Sequence, residues 1–295
     1  LGDVYKRQDV ATTVNTAASS ASATLTGLTS TTAYEYRLTD GEISVATGEF
    51  TTAAEIALQN GSLDGWDGSS PNAATDSKFW DTSNEGAKMG GLTPTQAVTD
   101  FVHTQGGKAA KLESGKVDLM GGIFAAASLY TGSFGSTNIW TQTATVNFGQ
   151  SFTARPIALK GFYKYTPNVI NLVKNVPAGV TIVKDQTLDQ CAIYIALAKK
   201  TYTIDNGNQS TFIDFKNDEN IIAYGELPSG AATEGDGYVE FNIPLKYKNL
   251  TDQPTHIIVV CSSSKYGDYM TGGAGSTLYV DDLSLIYDGT PTIWE

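Results

Sequence analysis

The last apolar segment of the chain, Thr277–Tyr287, reads TLYVDDLSLIY and changes face halfway along. Leu278 and Val280 share one parity, Leu283 and Leu285 the other, and side chains of a β-strand alternate with a period of two. A regular strand cannot turn all four leucine and valine side chains to one core. One extra residue at Asp281-Asp282 restores the register, and that insertion is a β-bulge. The segment therefore predicts a bulged strand with two adjacent carboxylates at the rim of a sheet.

Strand patterns dominate elsewhere too, and no stretch holds an amphipathic helical period beyond about a dozen residues. Strands are expected at Ala23–Leu25, Tyr34–Leu38, Glu49–Thr52, Lys108–Glu113, Ile157–Tyr165, Cys191–Ala198, Tyr238–Pro244, His256–Cys261 and Thr277–Tyr287. Asn206-Gly207 and Gly235-Asp236-Gly237 read as turns between them. One short helix is expected at 93–103, TPTQAVTDFVH, capped by Thr93 with Pro94 in its first position. The 15 Tyr and 30 Gly against 3 Met suit the same all-β reading.

A boundary falls near Ala53–Leu58. Before it, residues 9–53 carry a Leu-Thr-Gly-Leu turn, a Tyr-x-Tyr strand and a closing Phe-Thr-Thr strand. They look like the last strands of a fibronectin type III or immunoglobulin-like module, with Tyr34 or Tyr36 as the corner tyrosine. Such a module takes about 100 residues, so this one is read as truncated, with an exposed edge and exposed apolar surface. Residues 1–8, LGDVYKRQ, resemble translated sequencing-adapter sequence; the chain is read as a fragment, and these residues are set aside. The long block 54–295 has the length of a two-sheet jelly-roll β-sandwich with decorated loops.

Composition removes some functions. Acids outnumber Lys and Arg by 31 to 19 with no basic cluster, so nucleic acid is not an expected partner. No apolar run approaches the roughly 20 residues that span a bilayer, so no membrane insertion is expected of this stretch. Cys191 and Cys261 lie in apolar strands and read as buried free thiols without metal-type spacing. A monomer is expected.

Several residues have the chemistry of sugar contact. Trp80, with Asp81, Thr82 and Asn84, sets a large ring beside short hydrogen-bonding groups in an expected loop; it either stacks on a sugar or packs into the core. Tyr163 and Tyr165 share a face of one strand and either line a groove or bury their rings. Lys265, Tyr266, Asp268 and Tyr269 occupy a Gly-flanked loop, which is either a contact surface or a loop packed by its own rings. Catalysis by a glycosidase needs two carboxylates at a set separation, and Asp81, Glu85, Glu113 and Asp268 are the candidates. None lies in a recognisable hydrolase signature, and His103 and His256 form no triad-like or zinc-like motif.

Four further segments, LQNGSLDGW (58–66), FWDTSN (79–84), GKAAKLES (107–114) and RPIALKGFYKYTP (155–167), the last preceded by NFGQSF, complete an ordered set with the tail. Together they resemble the putative carbohydrate metabolism domain, a family typical of exported, surface-associated proteins of polysaccharide-degrading gut bacteria. The resemblance covers nearly all of 54–295. It implies a galactose-binding-like jelly roll similar to carbohydrate-binding modules, a poly- or oligosaccharide partner, and an extracellular, cell-surface or periplasmic location. It also implies a structural Ca²⁺ held where the first and last strands lie side by side, with Asn60 and Asp64 facing Asp281 and Asp282. Asp64 stands where related modules often carry Glu. The expectation is a non-catalytic glycan-binding module; a glycoside hydrolase and a structural or adhesion module are the alternatives.

Overall fold

The computed structural model describes residues 8–23, 25, 27–74, 77–118 and 122–294. The adapter-like segment lies outside these except for Gln8. Two compact units are present, one ending at Glu55 and taking in Asp288–Thr290, the other comprising Ile56–Tyr287 and the segment from Pro291.

In the first unit, Thr13–Asn15 pairs with Ser20–Ser22 and Ala33–Asp40 pairs with Ile43–Thr51. The strand expected at Ala23–Leu25 falls instead on Ser20–Ser22, and Thr24 lies outside the described residues. Tyr34 stacks on Phe50 and its hydroxyl accepts the Thr29 N–H at 2.7 Å. Ile43 and Val45 are exposed.

Among the described residues of the second unit, strands form two main sheets. The larger runs, in spatial order, Tyr202–Asp205, Thr143–Phe148, Ser128–Asn138, His256–Ser262, Ala192–Ala198, Ile221–Glu226, Lys246–Tyr247 and Thr292–Ile293. Trp80–Thr82 pairs beside Ser128–Asn138, and Gln150–Ser151 beside His256–Ser262. The smaller sheet runs Val239–Pro244, Ala158–Thr166, Thr277–Ile286, Ala109–Glu113 and Thr95–Val98. Its inward side chains, including Leu112, Leu159, Phe241, Leu278 and Val280, meet Leu129, Ile193, Ile195, Ile257 and Val259 of the larger sheet in one core. Each such side chain contributes roughly 1.5–3 kcal/mol on burial. The fold is a β-sandwich. Cys191 and Cys261 are both buried thiols in that core, and burial pushes the Cys191 thiol up to about 12.

The final strand is bulged where its parity slips. Lys160 pairs with Ser284 and Phe162 with Asp281, so two residues oppose the single Gly161. Asp282 takes a positive φ of 50°, and Leu283 returns to the core at 3% exposure beside Leu278 and Val280. Gly61 supports the bulge by accepting the Leu283 N–H at 2.7 Å; a Cβ there would collide with the Leu283 carbonyl.

The helix expected at 93–103 does not form. Thr95–Val98 is instead the edge strand of the smaller sheet, paired with Ala109–Glu113. The buried Asn84 side chain clamps the Thr95 backbone, donating to its carbonyl at 2.8 Å and accepting its N–H at 2.9 Å. Those partners hold Thr95 in the ladder, so tertiary contacts override the local capping signal. The described helices are limited to Asn84–Ala87 and three 3₁₀ turns, and none is long and apolar enough to cross a membrane.

Candidate functional site

The larger sheet is apolar on both faces. In His256–Ser262, Ile257, Val259 and Cys261 enter the sandwich core, while Ile258 and Val260 point the other way. The outward face gathers Tyr130, Phe148, Ala196, Tyr202, Ile204 and Val260 into a second cluster. Residues 206–218 fold over part of it. Phe215 stacks on Tyr224 at 4.3 Å and meets Tyr194 edge-on at 5.3 Å, while Phe212 packs edge-on against Tyr269 at 5.0 Å.

What that loop leaves uncovered is a groove along Ser128–Asn138. Pairing sets its direction. Ser128 lies opposite Ser262, next to the 264–270 loop, and Asn138 lies at the hairpin that leads into Thr143–Phe148. Lys265 and Asp268 line the first end, Asn138, Gln142 and Asn206 the second, and Tyr130, Phe134, Val146, Tyr194 and Val260 the waist between. At the hairpin tip the Asn138 side chain accepts the Trp140 and Thr141 N–H groups, which leaves the Trp140 ring 87% exposed beside Ile139 of the groove wall. An exposed ring on a braced turn suits stacking against a sugar face.

Among the described residues lining the groove, Asp268 is the only acid. Its carboxyl stays open to solvent through the groove, yet the walls crowd it, and lost hydration lifts its pKa from 3.8 to about 6. Burial raises the phenols of Tyr130 and Tyr194, and the Asp268 charge adds to both shifts, so the three share one electrostatic neighbourhood. A raised carboxyl in a recessed, mostly apolar groove makes this the candidate ligand site.

Only part of the expected contact set reaches this groove. Lys265 and Asp268 line it; Tyr269 braces the covering loop through Phe212, and Tyr266 turns the segment by accepting the Tyr269 and Thr271 N–H groups. Trp80 is corrected from loop to strand: it pairs opposite Thr131, is 0% exposed, and donates its indole N–H to the Gln59 carbonyl at 2.8 Å. No face of that ring is free for a sugar. Asn84 is occupied by Ser69 and Thr95. Tyr163 and Tyr165 turn toward the sandwich core, where Tyr165 is 0% exposed and donates its hydroxyl to the Ser263 carbonyl. Trp140, Tyr130, Phe134 and Tyr194 were missed by the sequence reading; the one local signal was Trp140 among Asn, Thr and Gln in NIWTQT.

The candidate acids do not form a pair in the groove. Asp81 is 7% exposed and accepts the Thr82 and Phe134 N–H groups. Glu85 pairs with Lys88, and Glu113 with Lys111 on the smaller sheet.

The four expected calcium ligands are also separated in role. Asn60 organises its own loop, donating to the Gly65 and Pro71 carbonyls and accepting the Gly65 N–H. The three acids instead grip the loop at 103–108. Asp281 accepts the His103 N–H at 2.7 Å, Asp282 bonds the His103 ring and the Thr104 hydroxyl, and Asp64 accepts the Lys108 N–H. Among the described residues there is no group of three His, Cys, Asp or Glu side chains able to hold a metal ion. The donor chemistry at Gly107 is nonetheless hard: a Cβ there would collide with the Asp64 carboxylate and press on the Thr104 carbonyl.

Fold and groove together define a β-sandwich module with a recessed, mostly apolar groove on the outer face of its larger sheet. The chain belongs to the putative carbohydrate metabolism domain family, whose sequence model matches residues 50–286. Among solved structures it is similar to a putative glycoside hydrolase from Bacteroides thetaiotaomicron, at 22% identity over 88% of this chain and 80% of that one, with a TM-score of 0.57. A second, from Bacteroides vulgatus and also described as a putative glycoside hydrolase, is 25% identical over 72% of this chain and 88% of its own, with a TM-score of 0.54. Comparison with curated proteins gives no match.

Proposed function

We propose that the chain is an exported, extracellular, cell-surface or periplasmic module that binds a poly- or oligosaccharide in the outer groove without cleaving it. The observation that carries the reading is the groove lining of aromatic rings and one carboxylate, with the exposed Trp140 on the hairpin next to its wall. Hydrolysis by the usual route needs two carboxyl groups about 5–9 Å apart across a cleft, and Asp268 has no acidic partner among the described lining residues. Asp81 and Glu85 share a neighbouring cleft with Lys78 and Lys88, so the glycoside hydrolase alternative rests on that pair and not on Asp268.

The test is retention of the full chain on a polysaccharide panel, with new reducing ends measured in the same samples. Retention without cleavage is expected, weakened by about tenfold or more in Asp268→Asn, because a hydrogen bond to a charged group is the stronger kind. Affinity should also fall as the pH drops through about 6, where Asp268 takes up its proton. Stability moves the opposite way. A carboxyl whose folded pKa lies above its unfolded value costs stability once charged, so Asp268→Asn should melt higher at pH 8 and converge with the parent near about pH 4. New reducing ends that vanish in Asp268→Asn would overturn the non-catalytic reading.

The structural calcium expectation is part of the proposal, with Asp64, Asp281 and carbonyls of the 103–108 loop as donors; Asn60, bonded within its own loop, and Asp282, bonded to His103 and Thr104, are left out of the set. Calcium at a hundredfold excess over its dissociation constant stabilises by about 2.7 kcal/mol, about 5–10 °C for a domain of this size. Melting curves with millimolar Ca²⁺ and with chelator should differ by that amount, and Asp64→Asn should abolish the difference. Coincident curves for the parent would remove calcium from the protein.

A further inference from the structure

The groove has polar ends and an apolar waist, and this division restricts what can occupy it. Phe134, Val146 and Tyr194, each half-buried and each on a different strand of the larger sheet, offer rings and aliphatic carbon over a floor filled by the buried Tyr130 and Val260. A sugar can stack a C–H face there, but a hydroxyl turned toward Phe134 or Val146 finds no partner. At the 264–270 end the demand is reversed. Asp268 makes no side-chain hydrogen bond or ion pair with any described residue, and its only resolved perturbation is desolvation. Lys265 has no ion-pair partner among the described residues. A carboxylate crowded by protein yet unpaired is complementary to a ligand that brings hydroxyl donors. The occupant must therefore supply apolar surface to the waist and hydroxyls to Asp268.

We infer that the groove recognises a saccharide bearing an aryl substituent, the aryl ring seated on the waist that Phe134, Val146 and Tyr194 line and the sugar hydroxyls on Asp268 and Lys265. The inference rests on the outer groove being the saccharide site and specifies the kind of saccharide it takes. Flat rings fit because the waist is itself built from aromatic side chains, which favour offset and edge-to-face ring contacts.

Calorimetry on the full chain tests it with 4-nitrophenyl glycosides of glucose, galactose, xylose and arabinose, their methyl glycosides, and free 4-nitrophenol. At least one aryl glycoside should bind tenfold or more tightly than both its methyl counterpart and 4-nitrophenol. Phe134→Ala, at a half-exposed position, should reduce that preference to less than threefold. Should Phe134→Ala lower the melting temperature, Val146→Thr, which sets a hydroxyl in the waist, provides the second variant and should reduce the same preference. Equal binding of aryl and methyl glycosides, with polysaccharide still retained, would overturn this inference and leave the saccharide-binding reading standing. If 4-nitrophenol alone bound as tightly as its glycosides, the waist would be a site for apolar molecules and the inference would fail. Retention of neither glycosides nor polysaccharides would overturn both.

Discussion

Trp80→Ala should destabilise the β-sandwich by about 3–5 kcal/mol, the cost of removing a large aromatic side chain from a close-packed core. The indole is 0% exposed, sits edge-on to Phe79, and joins the core shared by both sheets. Its N–H also holds the Gln59 carbonyl, tying the loop before the first core strand to the larger sheet. Alanine would leave both a cavity and an unpaired carbonyl. Denaturant titration at fixed pH reads the loss directly. Any fall in glycan retention by this variant should track its unfolded fraction, and Trp80→Phe, which refills most of the volume, should recover it. A Trp80→Ala protein as stable as the parent yet unable to bind would return the ring to the ligand.

Asp189→Ala should cost about 3 kcal/mol or more, because several buried donors would lose their acceptor together. Asp189 is 1% exposed, and its carboxylate accepts the Gln190 and Gly273 N–H groups and the Ser264 and Ser276 hydroxyls, at 2.6–3.1 Å. Burial pushes its pKa up, and the four bonds pull it back. They fasten the two ends of the segment that carries Lys265 and Asp268. The variant should therefore lose groove affinity along with stability, with faster amide hydrogen exchange across 264–276. Unchanged exchange there would show that the segment is held by its backbone bonds alone.

Legibility in the sequence followed the range of the interactions. The bulge at Asp281-Asp282 was readable because parity is a local property and only an inserted residue brings Leu283 back beside Val280. Asp268 and Lys265 were readable as loop residues from their glycine-flanked surroundings. Trp80 was not, since its short polar neighbours look like a loop until Ser128–Asn138 pairs with them. The segment 93–103 carried a sound helix-capping signal, yet Asn84 and the Ala109–Glu113 strand claim its backbone.

The groove itself could not be read locally. Ser128–Asn138 and Thr143–Phe148, which form much of its floor, were not among the expected strands, and Trp140 stands on the hairpin between them. Alternation does tell which residues of a strand share a face. In His256–Ser262, however, both parities are apolar, so the pattern cannot say which face a second sheet will cover and which will stay open to a ligand. By itself the chain's sequence determined an all-β sandwich, a bulged final strand and a carboxylate-bearing loop, all set by side-chain period and turn chemistry. Which apolar face became core and which became the groove was decided only by the packing of segments far apart in the chain.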